Sequence, residues 1–181
     1  MPRRAIHLVL VALLVALAGC SGMGTTAPTA TPMTSGGADT ATTTATPTVS
    51  TPGNDYDTAS VVVSDENGTQ LTTVDAWVAD TFSKQYTGLS DTSALEPGQG
   101  MLFVFDGEDE RNFVMRDMAF PLDMVFIAAD GTITTIHHAP VESDGDLTRY
   151  SGRAKYVLEV PMGYTNRTGV EVGDRVRIED R

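Results

Sequence analysis

The side chains with the means to act on a ligand fall between Phe113 and His138. Asp123 sits between Leu122 and Met124 at the head of the apolar run Leu122 to Ala128, where an ionised carboxylate is costly unless a cation or several N–H donors meet it. Arg116 is the expected partner, with Arg153 second. An acid in such a setting can serve as a general acid or base, or as an anchoring carboxylate in a pocket. Structural ion pairs perturb carboxylates as well, and a paired acid fixing the turn after Pro121 is the reading the sequence favours. His137 and His138 close the next apolar segment. Neighbouring strand residues face opposite sides, so the two are badly placed to grip one metal together. The Asp130-Gly131 turn makes their strand a neighbour of the Asp123 strand, so one of them can pair with Asp123 as an acid/base couple. The plainer alternative is two partly exposed strand-end histidines. With no third ligand at a recognisable spacing, neither a metal nor a cofactor is expected.

On a strand, Phe113, Met115 and Asp117 share one face, and Val114, Arg116 and Met118 the other. Arg116 and Asp117 join Asp123 as candidate ligand-binding residues. The acidic run Asp106-Gly107-Glu108-Asp109-Glu110 offers oxygen ligands but lacks the spacing of a calcium loop, and reads as a solvated loop. There is no phosphate-cradling glycine loop and no Gly-x-Ser-x-Gly elbow. The sole cysteine, Cys20, lies far from these residues, which excludes thiol catalysis and disulfides for a monomeric domain.

These residues need a frame, and the pattern that supplies it is mostly of period two. Ala59 to Ser64 and Gln70 to Ala79 flank Asp65-Glu66-Asn67-Gly68, a hairpin signal. Thr81 can cap a short helix through Phe82, Tyr86 and Leu89 that ends near Gly88. Beyond Pro97-Gly98, strands are expected at Gly100 to Phe105, Asn112 to Asp117, Leu122 to Ala128, Thr132 to His138, Ala154 to Val160 and Asp174 to Glu179. Gly145 marks a polar loop. The fold class that follows is mainly β with one or two short helices, a small closed or half-closed barrel-like antiparallel sheet of some eight strands. Closure removes exposed sheet edges.

Residues 57–181 form one domain with enough chain for a core, and what precedes it is of another kind. Arg3 and Arg4, the eleven apolar residues Leu8 to Ala18, and then Gly19-Cys20 read as a lipoprotein export signal over residues 1–20, with Cys20 the lipid-bearing N-terminus after cleavage. Eleven residues cannot span a bilayer, which takes roughly 20. The paired arginines also allow the twin-arginine route. Residues 21–56 read as a disordered stalk: Ser21 to Gly53 holds twelve threonines, four prolines and one charged residue, Asp39. As a flexible coil it would span roughly 30 Å, and about 100 Å if fully drawn out as polyproline II. The expected place is therefore the outer face of the cell membrane, with the membrane itself a partner through the lipid. Asn67 and Asn166 begin glycosylation sequons, although Asn67-Gly68 equally suits a tight turn.

The chain carries 12 basic and 24 acidic residues, a net charge of −12. Loss of residues 1–20 removes two arginines and no acid, leaving 10 − 24 = −14. With no basic run, nucleic acid is not an expected partner. Lysine is confined to Lys84 and Lys155, and the acidic surface resembles that of proteins from salt-loving archaea, whose solvent screens self-repulsion.

Thr81 with Gly88-Leu89, the block Gly100-Met101-Leu102-Phe103-Val104-Phe105, and Phe113-Val114-Met115-Arg116-Asp117-Met118 leading to Pro121-Leu122-Asp123-Met124-Val125-Phe126-Ile127 resemble the domain-of-unknown-function family numbered 192. Ala154-Lys155-Tyr156-Val157-Leu158-Glu159-Val160 and Gly173-Asp174-Arg175-Val176 are similar to its closing blocks, so the resemblance runs from Val74 to Ile178. It implies a small, mainly β fold behind an export signal and no established activity. Val114 stands where the family often has an aromatic, and Ser90-Asp91-Thr92 where a basic residue is expected. Two functions are therefore set side by side. One is a lipid-anchored binding or accessory module of the envelope, presenting a cleft near Arg116, Asp117 and Asp123 to a small molecule, a glycan or an envelope protein. The other is an extracytoplasmic hydrolase using Asp123 with His137 or His138, which needs that pair in hydrogen-bond reach within a concave pocket.

Overall fold

Seven strands and two short helices follow one another in a computed structural model of the chain, which describes residues 56–143 and 145–180. They are β1 (Thr58–Ser64), β2 (Gln70–Ala79), α1 (Phe82–Thr87), β3 (Gln99–Phe113), β4 (Leu122–Ile127), β5 (Ile133–Ala139), β6 (Tyr150–Pro161), α2 (Tyr164–Thr168) and β7 (Arg175–Asp180). The expected export signal with Cys20 and the expected threonine-rich stalk lie outside the described residues.

The strands form one sheet in the order β5-β4-β6-β3-β2-β1-β7, curled into a half-barrel. Its two edge strands approach each other at one end. Thr132, just before β5, bridges Arg175 of β7, and the backbone N–H of Val176 donates to Gly131 O at 2.8 Å. That contact is why Gly131 must be glycine: its φ is +86°, and a Cβ there would lie 2.5 Å from Val176 O. The other expected turn forms too, with Asp65 Oδ1 accepting the backbone N–H groups of Asn67 and Thr69 at 2.9 and 2.7 Å.

Two expectations need correction. The segments Gly100 to Phe105 and Asn112 to Asp117 are not separate strands around an acidic loop. Together they make β3, which ends at Phe113, and the pairing with β6 shifts register between Val104 and Asp109. A bulge lets the acidic run stay in the strand while turning its charges outward. Glu108 then finds partners there, Arg153 Nε at 2.7 Å and the Ala129 backbone N–H at 2.7 Å. Second, the sheet is not wholly antiparallel: β2 and β3 pair in parallel, Asp75 to Ala79 against Gln99 to Phe103. A parallel pair needs a crossover, and α1 with its following loop supplies it.

Strand β4, and β6 from Val157 to Val160, are covered on both faces, so these stretches are nearly continuous apolar runs. Leu122, Met124, Phe126 and Val157 join Met101, Phe103, Leu89 and Met115 in one core. Val125, Ile127, Leu158 and Val160 join Val61, Val63 and Val74 in a second. Two acids interrupt these runs. Asp123 pairs with Val160 and shares the second face, whereas Glu159 pairs with Met101 and Met124 and shares the first.

Candidate functional site

Asp123 is wholly buried, and its carboxylate is saturated. Oδ1 accepts His138 Nδ1 at 2.7 Å and the Gly163 backbone N–H at 3.1 Å. Oδ2 accepts the Thr165 backbone N–H at 3.0 Å and its hydroxyl at 2.8 Å. Burial alone would raise its pKa, but the hydrogen bonds from His138, Thr165 and Gly163 outweigh burial and hold it below the ordinary value of 3.8. An ionised carboxylate only accepts, so His138 carries a proton on Nδ1. The cap residue of α2, Gly163, has no side chain to offer, and Asp123 meets the N–H groups left over at that helix start from across the fold.

The expected donors are thus present, and the expected cations are not. Arg153 is paired with Glu108, and Arg116 lies against α1. His138 does reach Asp123, but His137 points to the other face, where its Nε2 lies 2.8 Å from Ser151 O and its ring packs on Phe126 and Tyr150. With both oxygens occupied, Asp123 ties β4, β5 and α2 together and has no lone pair turned to a substrate. Among the described residues no three His, Cys, Asp or Glu side chains gather as a metal site.

The opposite face is built differently. Thr81 caps α1 by accepting the Lys84 backbone N–H, and Gly88 ends it at φ +52° with its own N–H on Lys84 O at 2.8 Å. A Cβ on Gly88 would lie 3.2 Å from the Phe103 ring, so glycine lets the helix end rest on that side chain. Phe82 and Tyr86 project from α1, 83% and 63% exposed. Arg116 follows β3 and locks onto this helix: Nη2 donates to Tyr86 O at 2.6 Å, and the guanidinium lies 4.2 Å from the Tyr86 ring centre. Asp117, in the left-handed region at φ 57°, places a carboxylate 3.7 Å from Arg116 Nε. The structure thus brings Arg116 and Asp117 together, on the face away from Asp123.

Between α1, the Leu89 segment and the end of β3 lies a pocket of about 180 Å³. Tyr86, Phe103, Phe113 and Val114 line it along with Arg116, Met118 and Glu159. Cavities of about 260 Å³, at Ser90, Asp91 and Asp117, and about 280 Å³, at Phe82, Phe105 and Arg111, share Tyr86 and Gln85 with it and extend the groove around α1. None of the three is lined by Asp123 or His138.

Glu159 is the unusual member of this lining. It is 5% exposed and makes no hydrogen bond or ion pair among the described residues. Burial without a partner pushes its pKa from 4.5 to about 8. Sequence reasoning placed it in a strand and gave it no role. The available signal was the one that marked Asp123, a single acid inside an apolar run, here Val157-Leu158-Glu159-Val160.

The curled sheet with its helical crossover defines a small half-barrel β domain. Residues 62–178 match the model of the DUF192 family, Uncharacterized ACR, and the chain belongs to that family. Two solved structures are similar to it. A Sinorhizobium meliloti 1021 protein proposed to be a transcription regulator is 32% identical with a TM-score of 0.62, covering 68% of this chain and 95% of its own. A protein of unknown function from Novosphingobium aromaticivorans DSM 12444 is 30% identical with a TM-score of 0.62, covering 78% of this chain and 99% of its own. No curated protein matches the sequence.

Proposed function

We propose that the chain is a lipid-anchored, cell-surface binding module that holds a small ligand in the groove around α1, with Glu159 at its floor and Arg116 at its rim. The observation that carries this reading is a buried carboxyl group without a polar partner, lining an open cavity with aromatic walls. Clefts with apolar walls and a few polar groups are the usual form of a small-molecule site, and perturbed acids concentrate in them. The lipobox at Cys20 and the threonine-rich stalk support an anchored domain held off the membrane. The sparse lysine and acidic surface support a salt-rich exterior. The regulator role proposed for the S. meliloti protein is not carried over, because a net charge of −12 opposes phosphate binding. A hydrolytic role for Asp123 and His138 has their 2.7 Å contact in its favour, and the occupied carboxylate against it.

Val114 borders the pocket and is 41% exposed, so Val114→Trp should fill the groove while preserving the fold. The test is a thermal-shift screen of the full-length protein in molar salt against sugars, nucleotides, amino acids and amines. A ligand at a hundred times its Kd adds about 2.7 kcal/mol, roughly 8 °C in a domain of this size. We expect a hit that weakens at least tenfold in Val114→Trp. No hit in any class, or hits indifferent to that substitution, would remove the groove as the site.

A further inference from the structure

We infer that the ligand of the α1 groove is a small organic cation, an ammonium group seated against the carboxylate of Glu159; the inference rests on the groove reading above and gives it a ligand class. Glu159 reaches the pocket from β6, between Met101 of β3 and Met124 of β4, and no donor among the described residues meets its oxygens. A buried acid left this way is costly to ionise, and what restores the balance is a group that brings both N–H donors and positive charge. The pocket's own cation does not do so. Arg116 is committed to Tyr86 O, to the Tyr86 ring and to Asp117, and so stays at the rim.

The walls point the same way. Tyr86, Phe103 and Phe113 contribute rings, and a cation near aromatic rings gains from their quadrupoles, most of all where water is excluded. Met118 and Val114 suit the alkyl part of an amine. An anionic ligand would meet an acidic floor and a strongly acidic molecule, whereas the net charge of −12 draws cations toward the surface. The exchange is balanced: the protonated Glu159 gives its proton to solvent as the ammonium group arrives, and a neutral acid with a free cation becomes a buried ion pair.

The experiment titrates the full-length protein with butylammonium and ethylammonium, and with 1-butanol and butyrate as neutral and anionic counterparts, followed by calorimetry and by the amide resonances of Tyr86 and Val114. The two ammonium ions should bind, and the alcohol and the acid should not. Their Kd should fall about tenfold per pH unit as the medium is brought up toward the pKa of Glu159 and level off above it, with about one proton released per ligand below it. Glu159→Gln should weaken binding at least tenfold. Butanol or butyrate binding as well as the ammonium ions, affinity indifferent to pH, or an unchanged Kd in a folded Glu159→Gln would overturn the cation while leaving the groove in place. If no probe of any charge moves Tyr86 or Val114, the cation inference falls, and a thermal-shift screen of the unmodified protein empty of hits then removes the groove as well. Probe selectivity and pH dependence are read on the unmodified protein, so the test stands even if the variant does not fold.

Discussion

Two carboxyl groups on adjacent central strands are driven in opposite directions by what surrounds them. Asp123 has four donors and is held below 3.8; Glu159 has none and is raised to about 8. The linkage signs differ accordingly. A depressed acid lends stability above its unfolded pKa, and this is lost as pH falls through the folded value. A raised acid binds its proton more tightly in the folded state, so its contribution is whole below about pH 4.5 and drains away up to about pH 8. Over that interval of roughly 3.5 units, at 1.36 kcal/mol per unit, the loss approaches about 5 kcal/mol. Glu159→Gln should therefore be more stable than the parent at pH 8 and lose the advantage near pH 4, measured by urea unfolding at both values. Asp123→Asn should weaken the fold at pH 7 by about 3 kcal/mol through its unmatched N–H partners, and flatten the acid limb of the pH profile. Equal pH profiles for Glu159→Gln and the parent would show that Glu159 is ionised without penalty. Asp123 was legible because its flanks are apolar on a strand opened by Pro121. Its pairing with a histidine of the next strand was legible through the Asp130-Gly131 turn, but Gly163 and Thr165 were not, since they lie about forty residues on at the start of a helix that no local pattern ties to β4.

At the level of elements, hairpins were legible and crossovers were not. Asn67-Gly68 and Asp130-Gly131 specify their turns through residues that tolerate positive φ, so β1–β2 and β4–β5 follow from local chemistry. The parallel pairing of β2 with β3 depends on where α1 lays the chain, and period-two alternation says nothing about a strand's neighbour. The acidic run misled for a related reason: charge suggests solvent, and a bulged strand exposes its side chains just as a loop does. The closest approach of β5 and β7 hangs on Gly131, whose conformation and contact with Val176 both exclude a side chain. Gly131→Ala should cost about 1–3 kcal/mol, whereas Gly107→Ala in the bulge, with open space around it, should stay within about 0.5 kcal/mol. Chemical denaturation of the two variants side by side checks this; equal midpoints would mean that the half-barrel does not need the contact.

For the whole molecule the deciding quantity is charge. The sheet curls until its edges nearly meet, leaving a small domain whose exterior carries most of the 24 acidic groups against 12 basic ones in the chain. Some find partners on the surface, such as Asp80 with Lys84, Glu108 with Arg153 and Asp130 with Arg175, at 3.0, 2.7 and 3.3 Å. Exposed pairs of that kind contribute about 0–1 kcal/mol each, and salt weakens them. The unpaired excess acts the other way, because like charges confined to a small domain repel across its whole surface and salt relieves that strain. At 1 M the Debye length is about 3 Å, too short for distant acids to sense one another yet comparable to the contact distance within a pair. Repulsion is therefore screened more completely than pairing, and the net effect is stabilising. Unfolding midpoints should climb steadily from dilute buffer to 1 M sodium chloride and respond alike to potassium chloride, which separates screening from site-specific ion binding. A midpoint that falls with added salt would mean that the surface pairs outweigh the excess charge, and would remove the physical ground for placing this domain in a saline exterior.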